Sequence, residues 1–237
     1  MNSSRRSALL LIGSELLSGR VQDENLRFLA RELWELGVSV ERAVMVGDDI
    51  EEIATTLSAL ADRHDWVFTT GGIGPTHDDL TIDAVARAFG VEVVTAPRLE
   101  QLIRARWGDR TTAAHLRMAR VPRGAVLEGG DQPGWPTVRM ENVVILPGVP
   151  AILRRKFQAL RERFRCGRFH RRSVAYAAEE VDLAPILERV AAKHPAVRIG
   201  SYPQEDHVLI TLEGRDDPQV QAAARTLEAA TGDLPRF

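Results

Sequence analysis

One cysteine, Cys166, stands in 237 residues, which excludes an internal disulfide framework and any zinc site built from several cysteines. With no base partner evident beside it, Cys166 reads as a small structural residue rather than a nucleophile. Long apolar runs are missing too. The longest, residues 8–12 and 143–146, fall far short of the roughly 18 needed to cross a bilayer. The opening residues lead into a strand-length segment with no signal-peptide core, so a soluble cytoplasmic protein is expected, with no membrane partner. An excess of one charge is also lacking: the formal net charge of −2 gives no overall pull towards nucleic acid or membrane. Lysine is scarce, with only Lys156 and Lys193 among 31 basic residues, a bias that carries no functional meaning alone. No Gly-x-Ser-x-Gly elbow supports serine hydrolase chemistry. His64, His115, His170, His194 and His207 show no metal-ligand spacing, so surface or helix-end roles are expected for them. What is present is ordinary globular composition, 44% hydrophobic and 27% charged, in a length that suits one core domain with a smaller appendage.

The first 165 residues alternate short β-like runs with helical patterns. Residues 8–12 read as a buried strand closed by Gly13, and Leu26, Leu29, Leu33 and Leu36 recur at helical spacing. Asp23 is a fitting N-cap for that helix and Gly37 a fitting stop. Residues 38–46 alternate as a strand should, and Asp49 with Glu52 has capping-box spacing ahead of Ile53, Leu57 and Leu60. Residues 66–70 form a third strand that runs into a glycine-rich loop, followed by a helix over 81–89. Helices are expected over 99–107, 111–119 and 151–164, with a hairpin of 138–140 and 143–146 turning at Glu141-Asn142. Such alternation implies mostly parallel strands with helices on both faces. Residues 166–237 read strand, helix, strand, strand, helix, a small α+β domain with helices on one side of a sheet. The basic stretch 154–172 holds a lone acid, Glu162, and is read as a solvated face rather than a nucleic-acid surface, for want of interleaved aromatics.

The chemistry concentrates in residues 71–81, Gly-Gly-Ile-Gly-Pro-Thr-His-Asp-Asp-Leu-Thr, between a strand end and a helix. Glycines let the backbone take positive φ and let a ligand approach where a Cβ would intrude. Successive amides can then cradle an anion, and the helix N-terminus adds free N–H groups. In an open α/β sheet this is the edge where ligands bind. Phosphate is therefore the indicated ligand chemistry, and Asp78-Asp79 beside it imply a cation in between. The alternative is a tight βα turn whose aspartates only cap the helix. The loop lacks the Gly-Lys-Ser/Thr end of a Walker A motif, and its glycine spacing is not that of a dinucleotide-binding fingerprint.

That string resembles the signature of the molybdopterin-binding (MoaB/Mog-like) domain family, in the version found in CinA and at the N-terminus of eukaryotic-type FAD synthases. Further matches are Ile12-Gly13-Ser14-Glu15-Leu16-Leu17-Ser18-Gly19, Asp23-Glu24-Asn25, Val46-Gly47-Asp48 and Leu146-Pro147-Gly148-Val149-Pro150, while Pro185-Ile186-Leu187 and Gly200-Ser201-Tyr202-Pro203 look most like the FAD-synthase version. The resemblance implies a three-layer αβα sandwich with a mostly parallel sheet, commonly homo-oligomeric, followed by the small α+β domain. It implies either metal-dependent cleavage of a dinucleotide pyrophosphate such as ADP-ribose or FAD, releasing AMP, or binding and adenylylation of molybdopterin; a nucleotide-binding module without turnover is the third option. The implied cofactor is a divalent metal, Mg²⁺, Mn²⁺ or Co²⁺, with K⁺ an optional companion; the implied partner is a phosphorylated nucleotide or pterin, not a nucleic acid. Asp48, Asp78 and Asp79 would bind metal and catalyse, Gly13, Gly71, Gly72, Gly74, Pro75 and Thr76 would hold the ligand, and Gly148 with its neighbours would close the pocket. Glu15 is either a site residue or a helix-start charge, Asn25 either a ligand contact or part of a first helical turn, and His77 either a phosphate contact or a passenger. Two departures bear on specificity and catalysis: Ser14 stands where relatives often carry a second acid, and His115 where they often carry asparagine.

Overall fold

Strand β1 (Arg6–Ile12) shows why an unbroken apolar run was needed at the centre of the sheet. Ala8, Leu10 and Ile12 face one hydrophobic core while Leu9 and Leu11 face a second, so a strand covered on both faces has no polar side. In the computed structural model, which describes residues 5–129, 134–232 and 234–235, the chain divides into two units, Met1–Cys166 and Gly167–Phe237.

In the first unit β1 is followed by α1 (Ser14–Leu17), α2 (Asn25–Glu35), β2 (Ser39–Val46), α3 (Ile50–Ala61), β3 (Trp66–Thr70), α4 (Thr81–Ala88), β4 (Val93–Thr95), α5 (Pro97–Trp107), α6 (Ala113–Arg117), β5 (Arg120–Pro122), β6 (Val126–Glu128), β7 (Thr137–Met140), β8 (Val143–Leu146) and α7 (Pro150–Leu160). The six-stranded sheet runs β2-β1-β3-β8-β7-β6, with the first four strands parallel and the last two pairings antiparallel. Helices α3, α4 and α5 pack on one face and α2 and α7 on the other, giving the three-layer αβα sandwich. The second face is closed by an aromatic cluster, with Phe164 edge-on to Phe68 at 5.0 Å and stacked on Phe157 at 5.6 Å.

The caps are where the side chains say they should be. Asp23 accepts from the backbone N–H groups of Asn25 and Leu26 at 3.2 and 2.9 Å, and Gly37 ends α2 with φ 76°. Asp49 accepts from the Glu52 N–H at 2.9 Å. Replacing Asp49 with alanine is expected to cost about 1 kcal/mol, read as a lower chemical-denaturation midpoint with unchanged slope.

Two expectations are corrected. The 111–119 helix shrinks to the five residues of α6, because Thr112 and His115 form a capping box that starts it late. The 151–164 helix stops at Leu160 and continues as one 3₁₀ turn. The arginines of 154–172 lie mostly exposed, as a solvated face should, and acids from elsewhere in the fold meet most of them. Arg161 reaches Glu32 at 2.7 Å and Glu35 at 3.0 Å, Arg154 reaches Glu24 at 2.6 Å, and Arg163 pairs with Glu128. Glu162 is held down at about 2, first by its hydrogen bond from Arg165 and then by Arg161.

The second unit contains β9 (His170–Tyr176), α8 (Glu180–Lys193), β10 (Arg198–Pro203), β11 (Val208–Gly214) and α9 (Asp217–Thr231). Its antiparallel sheet has the order β10-β11-β9. Tyr176, Ile210 and Leu212 form one core with Leu183 and Val190 of α8 and Val220, Ala223 and Leu227 of α9, so both helices lie on one sheet face. Among the described residues no helix is long and apolar enough to cross a membrane.

Candidate functional site

Strand β3 delivers its last residue, Thr70, to the edge where the parallel strands end, and the chain then turns through residues 71–80 before entering α4. Gly71 sits at φ 98°, and a Cβ there would lie 2.2 Å from the backbone oxygen of Ile12 in the neighbouring strand. Only glycine lets the loop leave the sheet on this path. Thr81 fastens the exit: its hydroxyl donates to the Gly71 carbonyl and its N–H to the Gly72 carbonyl, both at 2.9 Å.

Asp79 organises the loop from inside. Its carboxylate accepts from the Gly74 N–H at 2.5 Å, the Thr76 N–H at 2.7 Å and the Thr76 hydroxyl at 2.5 Å. A Cβ on Gly74 would stand 2.7 Å from Asp79 Oδ2, so glycine at 74 is what allows this closure. The same Thr76 side chain lies close enough to Asp78 to hold that exposed carboxyl below its ordinary value.

Over the loop opens a cavity of about 1020 Å³ at the C-terminal ends of β1, β3 and β8. Gly71, Gly72, Gly74, Asp79, Glu15 and Gly148 all border it. Its remaining walls include two tryptophans, Trp107 and Trp135, and three cations, Arg106, Arg155 and Lys156. A smaller cavity of about 70 Å³ adjoins, sharing Gly74, Asp79, Trp135 and Lys156. Lys156 donates to the carbonyls of Trp135 and Pro136 at 2.9 and 2.7 Å, and burial, then the charge of Arg155, pushes its ammonium down to about 8. Glu128, also at the cavity wall, is 6% exposed and is neutralised by Arg139 at 2.7 Å and by Arg163.

Six of the residues expected from sequence thus meet at one cavity, and the others lie around it. Asn25 is buried and donates through Nδ2 to the Gly148 carbonyl at 2.7 Å, so it holds the rim and does not border the space. Asp48 accepts from the Ser14 N–H at 2.8 Å while the Ser14 hydroxyl accepts from the Asp48 N–H at 3.2 Å. That reciprocal pair occupies Asp48 in tying the β2–α3 connection to the start of α1, and it gives Ser14 a structural use. Gly13 belongs to the same turn, its N–H donating to the Val46 carbonyl at 3.1 Å. Pro75, Thr76, His77 and Asp78 lie exposed on the loop away from the cavity lining. His115 is spent on the α6 cap and packs against Trp107 in a tilted arrangement with 4.6 Å between ring centroids. Among the described residues no group of three or more His, Cys, Asp or Glu is placed to hold a metal ion alone. The tryptophans and cations of the wall were not found from sequence; they come from three separate segments, 106–107, 135 and 155–156, with no shared motif.

Residues 8–165 match the family described as a probable molybdopterin binding domain, and residues 168–234 match the FAD synthase middle domain. A protein of Archaeoglobus fulgidus is 31% identical over 95% of this chain and 97% of its own length. A probable FAD synthase of Caenorhabditis elegans is 30% identical over 96% of this chain, which spans 50% of that protein. A CinA-like protein of Myxococcus xanthus is 32% identical over 94% of this chain and 58% of its own length. Among solved structures, CinA of Thermoplasma acidophilum, described as of unknown function, superposes with a TM-score of 0.63 at 27% identity, covering 69% of this chain and 99% of that one.

Proposed function

Since the chain belongs to the molybdopterin-binding domain family and carries an FAD-synthase-type middle domain behind it, we propose that it is a metal-dependent pyrophosphohydrolase of a dinucleotide such as ADP-ribose or FAD, acting as a homo-oligomer. The observation that carries the reading is the Asp79-braced glycine loop at the floor of a cavity of about 1020 Å³ walled by tryptophans and cations. Loop amides suit phosphate oxygens, indole faces suit an aromatic ring, and arginine suits a pyrophosphate charge. A volume of this size accommodates two linked nucleotide-like halves.

The donor set fits a divalent ion that arrives with phosphate oxygens and water as most of its ligands, the usual arrangement for Mg²⁺. Asp79, with three of about four lone-pair positions used, and Glu15 are the carboxylates on the cavity that would hold it. Such an ion supplies charge neutralisation on the pyrophosphate and a more acidic bound water. This chain's own contribution is to fix the phosphates on the Gly72 and Ile73 amides, which border the cavity, and to stack the ring on Trp107 or Trp135. Arg106 and Arg155 offset the charge that gathers as water attacks phosphorus and the P–O–P bridge breaks to AMP and the second monophosphate.

The test is AMP release from ADP-ribose and from FAD with Mg²⁺, Mn²⁺ or Co²⁺ plus K⁺. Turnover that disappears on chelation and returns with metal is expected. Absence of AMP from either substrate with folded protein would sink the hydrolase reading. The family description then favours the second reading, a pterin in the same cavity, read as saturable binding of a fluorescent pterin.

A further inference from the structure

We propose that Lys156 is a ligand-phosphate contact, a cation built into the cavity wall to face the anion held by the glycine loop; this rests on the phosphate-ligand reading above. Its ammonium is fixed in place, since α7 carries it under the 135–136 backbone, where two neutral carbonyls take two of its three protons. Those acceptors orient the charge without cancelling it, and the groups acting on its ionisation are burial and Arg155, with no carboxylate contributing. A partly buried cation with no carboxylate beside it is costly, so its retention points to a partner that arrives from outside. Lys156 borders both cavities, and Gly74 and Asp79 border the same two, so an anion on the loop amides lies between the loop and the third ammonium proton.

Residue choice supports this. Only two of the chain's 31 basic residues are lysines, yet one of them is here. An ammonium directs its three protons to three separate acceptors around a point, whereas a planar guanidinium presents a fork suited to one carboxylate or phosphate. Two backbone carbonyls plus one ligand oxygen is the first pattern.

The experiment is calorimetric titration of the whole chain with inorganic pyrophosphate, ADP-ribose and adenosine, comparing wild type with Lys156→Met. The inference predicts that Lys156→Met weakens pyrophosphate and ADP-ribose at least about tenfold while adenosine changes less than about twofold. An equal loss for adenosine would reduce Lys156 to a prop for Trp135, and an unchanged pyrophosphate affinity would remove it from the site; either overturns the proposal. Wild type that binds pyrophosphate without hydrolysing ADP-ribose would sink the substrate assignment and leave Lys156 standing.

Wild type alone gives a second arm if the variant does not fold. The charged groups facing Lys156 are Asp79, Asp83, Arg117 and Arg120 across the smaller cavity. Across the larger one they are Glu15, Arg106, Glu128 and Arg155. Carboxyl and guanidinium groups ordinarily titrate far from pH 8, and so does the pyrophosphate diester of ADP-ribose. Affinity for ADP-ribose is expected to fall severalfold as pH rises from 7 to 10 through the ammonium's titration near 8, with adenosine flat. A flat ADP-ribose profile over that range overturns the assignment.

Discussion

Gly71→Ala is expected to abolish nucleotide binding and to cost the first unit about 3 kcal/mol or more. Two penalties fall on the same atom. At φ 98° an alanine is strained wherever it sits, a cost of order 1–3 kcal/mol. Its methyl would also lie 2.2 Å from the carbonyl oxygen of Ile12, which is buried at the end of the interior strand β1. Neither partner can give way cheaply, because the Gly71 N–H is itself bonded to the Leu146 carbonyl at 3.1 Å on the other neighbouring strand. Relief must come from lifting the loop, which scatters the amides meant for phosphate. At this chain length each kcal/mol is worth about 2–4 °C in Tm, so a drop of about 10 °C is expected by calorimetry. Gly108→Ala is the control. Gly108 also has positive φ, 53°, but a Cβ there meets nothing within 4 Å, so it should lose only about 1 kcal/mol and keep binding. Equal losses in the two variants would mean that the approach of Gly71 to β1 has no special role.

The fold was readable where burial leaves a periodic mark. Ala8 to Ile12 is apolar at every position because both faces of β1 are covered, and Leu29 and Leu33 fall on one stripe because α2 packs on one face only. The misses have physical causes. Strands β4, β5 and β6 are three residues each, too short for a period of two to show. The acids that neutralise the basic stretch are distant in sequence, Glu32 lying 129 residues from Arg161. The site divides in the same way. Glycines at 71, 72 and 74 announce themselves by type and spacing, whereas Trp107, Trp135 and Lys156 become neighbours only through the fold. Sequence also offered Asp78 and Asp79 as an equivalent pair. They separate because a carboxylate's partners depend on loop path: one turns inward onto three donors, the other outward to solvent.

That inward turn makes Asp79→Asn the sharpest test of what the loop does. Asparagine keeps the size and one oxygen but replaces the other with an NH₂ group. Whichever way the amide is set, its NH₂ then faces a backbone donor, either the Gly74 N–H or the Thr76 N–H, which cannot turn to accept. Hydrogen bonds to a charged group are worth about 1.5–3 kcal/mol each, so the loop should lose its closed form even though the side chain still fits. AMP release is expected to fall about 100-fold or more, the equivalent of nearly 3 kcal/mol in the barrier. Loss of activity alone does not separate a loop brace from a metal ligand, but binding without metal does. A residue acting only through a metal would leave the affinity for pyrophosphate in chelator unchanged. A brace that takes up the Gly74 and Thr76 N–H groups and so holds the Gly72 and Ile73 amides towards the cavity would carry that affinity down with the activity, about tenfold or more. We expect the second outcome, because three donors already occupy the carboxylate before any ion is present.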